Sequence, residues 1–145
     1  MRRIALFLIS LCLAIPAMAA DPAKAERKEV FGDVTVHYST FASTFLQPDI
    51  AKATDLVRSK NQGVLNVAIL KEGKPKTAAV SGMVRDLTGR SQSLKFKQVT
   101  EQGSVYYLAQ YKVDLQETVT FTVNVQTEGG TPNTFSFQQE VFPGE

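Results

Sequence analysis

His37 is the residue that most readily suggests chemistry, because it is the only histidine in the chain. An imidazole can act as a general base or bind a metal ion. Metal sites combine several ligands, however, and Cys12 is the only cysteine. The Gly-x-Ser-x-Gly elbow of many hydrolases occurs only as the fragment Val80-Ser81-Gly82. We therefore predict that His37 lies at the surface, and that the protein has no catalytic residue, metal ion or cofactor. A small hydrolase that uses His37 is the alternative.

A Ser-Thr-Phe triplet occurs twice after this histidine, at residues 39–41 and 43–45. Two phenyl rings and several hydroxyl groups in one short segment are suited to binding a peptide or a small ligand. The alternative is that both phenylalanines are core residues that close one end of the fold. The predicted binding residues are those of this segment together with the histidine: Thr40, Phe41, Ser43, Thr44, Phe45 and His37.

The elements that must position these residues are predicted to be mostly β-strands. Apolar and polar residues alternate in segments 34–38 and 118–127, which is the pattern of half-buried strands. Pro48 indicates the start of one short helix, because proline is favoured at the first helical position. Turns that mostly contain glycine separate five further strand segments, at 64–70, 77–87, 93–97, 104–113 and 135–141.

This succession of about seven short strands predicts an all-β fold. The closest architecture is an antiparallel, immunoglobulin-like β-sandwich with one short helix, and a barrel is the alternative. We expect a single β-sandwich domain at residues 31–145, preceded by a flexible lead-in at 20–30. The uncharged strand at 118–127 is an aggregation hazard if exposed, so we expect it to be paired on both sides or covered by another chain.

The first residues predict an export signal. Arg2 and Arg3 precede the almost uninterrupted apolar segment Ile4–Ile15, and Ala17-Met18-Ala19 supplies the small-x-small pattern of a cleavage site. The apolar segment is shorter than the roughly 20 residues that span a bilayer. We therefore predict a signal peptide at residues 1–19, cleavage after Ala19, and a periplasmic protein without a membrane anchor.

Cleavage would change the charge and the cysteine content of the chain. Residues 1–19 contain two of the sixteen basic residues, none of the fourteen acidic ones, and the single cysteine. The mature chain would then be neutral and free of thiols. Nucleic-acid-binding proteins usually carry a basic surplus, so we expect no nucleic-acid partner.

Several segments resemble a known family of small exported proteins of Pseudomonas and related bacteria, the domain-of-unknown-function 4426 family. The resemblance is carried by the Met-Arg-Arg start and by residues 37–41 (HYSTF), 43–48 (STFLQP), 57–60 (VRSK) and 65–70 (LNVAIL). It implies an exported all-β domain without an established activity, and it therefore assigns no catalytic residue.

These observations favour a non-enzymatic module of the cell envelope that binds a protein or peptide partner. The lack of a catalytic pattern, the uncharged strand and the Ser-Thr-Phe segment support this hypothesis. The alternatives are the hydrolase that uses His37 and a purely structural or oligomeric envelope component.

Overall fold

The computed structural model describes residues 27–143. These residues form ten strands, one α-helix and one short 3-10 turn. In chain order, the elements are β1 (Arg27–Phe31), β2 (Val34–Ala42), the 3-10 turn (Ser43–Phe45), α1 (Pro48–Thr54), β3 (Gln62–Lys71), β4 (Lys74–Pro75), β5 (Ala78–Arg85), β6 (Ser91–Leu94), β7 (Lys97–Glu101), β8 (Ser104–Lys112), β9 (Glu117–Thr127) and β10 (Asn133–Val141). The predicted signal peptide and residues 20–26 of the predicted lead-in lie outside the described residues.

The strands form two antiparallel sheets. Sheet A has the order β1-β2-β3-β8-β7, with β4 also paired to β3, and sheet B has the order β10-β9-β5-β6. One large apolar cluster contains buried residues from strands of both sheets. The predicted all-β sandwich is therefore confirmed, with two separate sheets rather than a closed barrel.

Strand β9 shows how the sequence pattern builds this core. Its apolar residues Val119, Phe121, Val123 and Val125 are buried, whereas the intervening threonine, asparagine and glutamine residues face outward. The strand pairs with β10 on one side and with β5 on the other. The prediction that this uncharged strand is paired on both sides is confirmed.

The lead-in prediction was wrong for residues 27–30, which belong to β1 and pair with β2. Arg27 anchors the strand to the opposite sheet, because its Nη1 donates a hydrogen bond to the Gln138 carbonyl at 2.9 Å. The guanidinium carbon also lies 5.3 Å from the centroid of the Phe137 ring, in a cation–π arrangement. Strand β1 therefore closes one side of the sandwich.

The strand count exceeds the prediction of about seven for two further reasons. The segment predicted as one strand at 93–97 is divided, because β6 ends at Leu94 in sheet B and β7 begins at Lys97 in sheet A. The chain crosses between the sheets within these few residues. Strand β4 has only two residues and pairs with the end of β3.

The helix begins at Pro48, as predicted, and ends where Asp55 adopts a left-handed conformation with φ 61°. Together with the 3-10 turn, it covers part of the outer face of sheet A. A second apolar cluster lies there, formed by Leu46, Ala51, Val64, Val99 and Leu108. Within residues 27–143, no helix is long and apolar enough to cross a membrane.

Candidate functional site

The alternation of β2 separates the predicted binding residues onto different faces. Thr40 has the same parity as the buried residues Val36 and Tyr38, and a side-chain hydrogen bond joins it to Tyr111 in the core. His37 and Phe41, with the opposite parity, lie on the outer face of sheet A. The six candidate residues therefore do not form one site.

His37 lies in the middle of this outer face. Its neighbours across the strands are Lys28 on β1 and Ala68 on β3. Neither neighbour is a carboxylate, the group that orients the imidazole in a Ser-His-Asp arrangement. Strand register therefore places no carboxylate directly opposite His37 on β1 or β3.

Ser43 fastens the 3-10 turn to a later part of the chain. Its hydroxyl donates a hydrogen bond to the Ser59 carbonyl at 2.7 Å and accepts one from the Ser59 amide at 2.9 Å. The side chain of Ser43 is fully buried. One hydroxyl therefore bonds both backbone groups of a residue in a connecting loop, where the carbonyl also accepts from the Gln62 amide at 3.2 Å.

The two phenylalanines of the Ser-Thr-Phe triplets have opposite environments. Phe41 packs, partly buried, against the cluster beneath the helix. Phe45 is 78% exposed at the end of the 3-10 turn. Phe41 is thus a core residue on the outer face of sheet A and does not close an end of the sandwich, whereas Phe45 is not a core residue at all.

A second exposed apolar side chain stands on the adjoining loop. Val57 is 58% exposed, and the Gln110 side chain holds its backbone on both sides, accepting from the Val57 amide and donating to its carbonyl. Arg58 donates from Nη2 to the Thr44 carbonyl at 3.0 Å. We call the exposed side chains of Phe45, Val57 and Arg58 the Phe45 surface.

Only part of this surface is predicted from the sequence. Phe45 is one of the six predicted binding residues, whereas Val57 and Arg58 belong to a segment that carries only the family resemblance. The signal that could have found them is an apolar and a basic residue in a short polar loop, directly after the predicted helix. Gln110 gave no signal, because a glutamine within a strand pattern is ordinary.

Asn66 lies on the outer face of sheet A, between Ser39 on β2 and Leu108 on β8. Its side-chain oxygen is buried, and no donor among the described residues reaches it. A buried acceptor without a partner costs about 1–3 kcal/mol. This position therefore lowers the stability of the fold.

Tyr38 and Tyr111 are two of the three tyrosines in the core between the sheets, and Tyr107 is the third. Tyr111 packs against Gly63, where an added Cβ would come within 2.5 Å of the tyrosine ring. Burial raises the pKa of Tyr111 above its ordinary value, although the hydrogen bond from Thr40 acts in the opposite direction. Burial, followed by the charge of Glu29, also raises the pKa of Tyr38. Both phenols are enclosed, so we assign them a role in packing.

A charged cleft of about 250 Å³ opens beside the turn between β5 and β6. Its lining includes Asp86, Arg90, Lys112 and Asp114. The Asp86 carboxylate accepts from the Thr88 hydroxyl at 2.6 Å, and this bond is the main cause of its lowered pKa. It also accepts from the Arg90 amide and forms an ion pair with the Arg90 side chain at 3.3 Å. Asp86 is therefore engaged in holding the turn.

Comparison with known families gives one match, the domain of unknown function DUF4426, over residues 28–144. The chain belongs to the DUF4426 family. A solved DUF4426 protein, PA0388 from Pseudomonas aeruginosa, is 49% identical, with a TM-score of 0.80 over 83% of this chain and 97% of that chain. The resemblance inferred from the sequence is thus confirmed. Comparison with curated proteins gives no match.

More distant structures share the fold of this DUF4426 protein. FetP of uropathogenic Escherichia coli strain F11 is 13% identical, with a TM-score of 0.62 over 83% of this chain and 96% of its own. Copper-reconstituted P19 of Campylobacter jejuni is 10% identical, with a TM-score of 0.62 over 82% of this chain and 95% of its own. At these identities the likeness shows the architecture alone.

Proposed function

We propose that this protein is an exported, non-enzymatic module of the periplasm that binds a protein or peptide partner through the Phe45 surface. The observation that carries the proposal is the exposure of Phe45 on a turn that is fastened to the rest of the fold. Aromatic side chains, phenylalanine among them, and arginine are enriched at the cores of protein–protein interfaces.

The way the surface is held favours binding. Ordering an interface side chain or loop costs free energy when a complex forms. Here the Ser43–Ser59 hydrogen bonds hold the turn, and the Gln110 amide holds the loop of Val57. The turn and the loop are therefore largely ordered before a partner binds. Less of the free energy gained by apolar contact at Phe45 is then lost to ordering these segments.

Export is supported by the charged start, the short apolar segment and the small-x-small pattern at residues 1–19. Cleavage after Ala19 predicts that the protein recovered from the periplasmic fraction begins at Ala20. N-terminal sequencing tests this prediction. A chain that still begins at Met1 in the membrane fraction would contradict both cleavage and the absence of an anchor.

A variant of FetP and the P19 protein have been solved with bound copper, which raises the question whether this chain could bind copper as well. Among residues 27–143, no three histidine, cysteine, aspartate or glutamate residues are grouped so that they could hold a metal ion. These residues therefore do not supply a set of three such ligands for a copper ion.

The partner can be captured by photo-crosslinking in living cells of the native host. A benzophenone amino acid replaces Phe45 in one strain and Leu87 in another. Leu87 is a matched control, because it is 76% exposed but lies on the turn between β5 and β6. We expect a discrete crosslinked species from position 45 and none from position 87. Equal crosslinking at both positions, or none at either, would contradict the proposed surface.

A further inference from the structure

The four edges of the two sheets differ in their protection against strand pairing. Strand β1 has five residues, of which three are charged, and β7 has five residues with a charge at each end. Strand β6 has four residues and leads directly into the crossover between the sheets. Strand β10 has nine residues and a single charge, at Glu140. Short length and charge are the usual protections of an edge, so β10 is the least protected.

The backbone of β10 offers hydrogen-bonding groups at this edge. The Gln138 carbonyl points away from β9, because it accepts from Arg27 of β1. Alternate residues of an antiparallel strand direct their backbone groups to the same side. Thr134 and Ser136 therefore present their amide and carbonyl groups at the same edge, whereas Arg27 bonds the carbonyl of Gln138 and the Gln139 side chain bonds that of Glu140.

The side chains of Thr134 and Ser136 do not obstruct this edge. The Ser136 hydroxyl lies 3.1 Å from the Thr122 hydroxyl, and the Thr134 hydroxyl donates to Asn124 Oδ1 at 2.8 Å. Both side chains are thus directed back along the face of sheet B toward β9. No lysine and no proline interrupts Asn133–Val141, although these are the residues that commonly block an edge strand.

We propose that β10 pairs with β10 of a second copy of this chain, in antiparallel orientation about a two-fold axis. The proposal is independent of the Phe45 surface, which lies on the outer face of the other sheet. Residues 133–139 carry no charge, so self-pairing opposes no like charges along this stretch. The two copies of sheet B would become one continuous sheet, which removes the open edge.

Arg27 selects one register for this pair. If the axis passes at Phe135, Thr134 of each copy exchanges both N–H···O bonds with Ser136 of the other. Gln138 then lies opposite Pro132, which has no amide hydrogen to give to the Gln138 carbonyl. The hydrogen bond from Arg27 to that carbonyl can therefore persist in the dimer.

Sedimentation equilibrium of the mature chain over a range of concentrations tests the proposal. Ser136→Lys places an ammonium group beside the axis in both copies, and Ser91→Lys places one on β6 at the opposite edge of sheet B. We expect the wild type and Ser91→Lys to dimerise equally, and Ser136→Lys to weaken the dimer roughly tenfold or more. Phe45→Ala should leave dimerisation unchanged.

A wild type that stays monomeric up to its highest soluble concentration would overturn the proposal. So would a Ser136→Lys variant that dimerises as tightly as Ser91→Lys. Circular dichroism melting checks that each variant is folded. Thr134→Lys, which carries its charge on the same edge, provides a second test should Ser136→Lys be unfolded.

Discussion

Replacing Ser43 with alanine removes the hydroxyl group that fastens the 3-10 turn to the loop of Ser59. The substitution keeps the backbone and leaves a void of only one oxygen atom. It removes both hydrogen bonds to the Ser59 backbone, one donated at 2.7 Å and one accepted at 2.9 Å. The consequence should therefore be local loosening of the turn that carries Phe45, together with a loss of global stability.

The expected magnitude follows from these two bonds. A neutral hydrogen bond contributes about 1 kcal/mol to stability, so the loss of both should lower the free energy of unfolding by about 2 kcal/mol. For a domain of this size, about 2 kcal/mol corresponds to a fall of about 8 °C in the midpoint of thermal unfolding. Urea denaturation and circular dichroism melting measure both quantities. Hydrogen exchange at the Ser59 amide should accelerate as well.

The control for Ser43→Ala is Ser93→Ala, which removes the same group from an exposed position on β6. Exposed substitutions of this kind usually change the free energy of unfolding by less than about 0.5 kcal/mol. If Ser43→Ala is as stable as Ser93→Ala, and the Ser59 amide is equally protected in both, the reasoning about the fastened turn is refuted.

Three further predictions concern the core and the outer face of sheet A. Gly82→Ala places a methyl group against the Thr122 carbonyl, so urea denaturation should show a loss of about 1–3 kcal/mol, and unchanged stability would count against the close approach of β5 and β9. Asn66→Leu removes the unpaired buried oxygen at similar side-chain size, so the free energy of unfolding should rise by about 1 kcal/mol, and a fall would contradict this. Burial holds the pKa values of Tyr111 and Tyr38 above the value of about 10 in an unfolded chain. The stabilisation that this shift provides should be fully present below about pH 10. It should decrease as the pH rises further, because the unfolded state releases these protons before the folded state does. Tyr111→Phe should make this alkaline loss shallower, and an unchanged slope would refute the assignment.

The fold could be predicted where the residue pattern has a single interpretation. In β9, apolar residues alternate with uncharged polar ones from Thr118 to Thr127, and in β8 apolar residues on both faces predict a central strand. Strand β1 could not be recognised, because Arg27, Lys28 and Glu29 have the composition of a mobile segment. Its order comes from tertiary contacts of Arg27 with β10, which no local pattern encodes.

The candidate site could be predicted only in part, because the two identical Ser-Thr-Phe triplets have different structural environments. Phe41 and Phe45 both follow Ser-Thr. Phe41 lies near the end of β2, where the helix covers it, whereas Phe45 ends the 3-10 turn. The two phenyl rings are only four residues apart in the sequence, and which of them is covered depends on where α1 packs. The hydrogen bonds by which Gln110 holds the loop of Val57 also could not be predicted, because the two residues are distant along the chain.

The central claim is that Phe45 anchors a partner, and the affinity of the captured partner tests it most directly. Isothermal titration with the purified partner compares the wild type, Phe45→Ala and Leu87→Ala. An anchoring aromatic contributes 2 kcal/mol or more, so Phe45→Ala should weaken binding by about 30-fold or more, whereas Leu87→Ala should change it by less than about threefold. A Phe45→Ala variant that binds as tightly as Leu87→Ala would contradict the account.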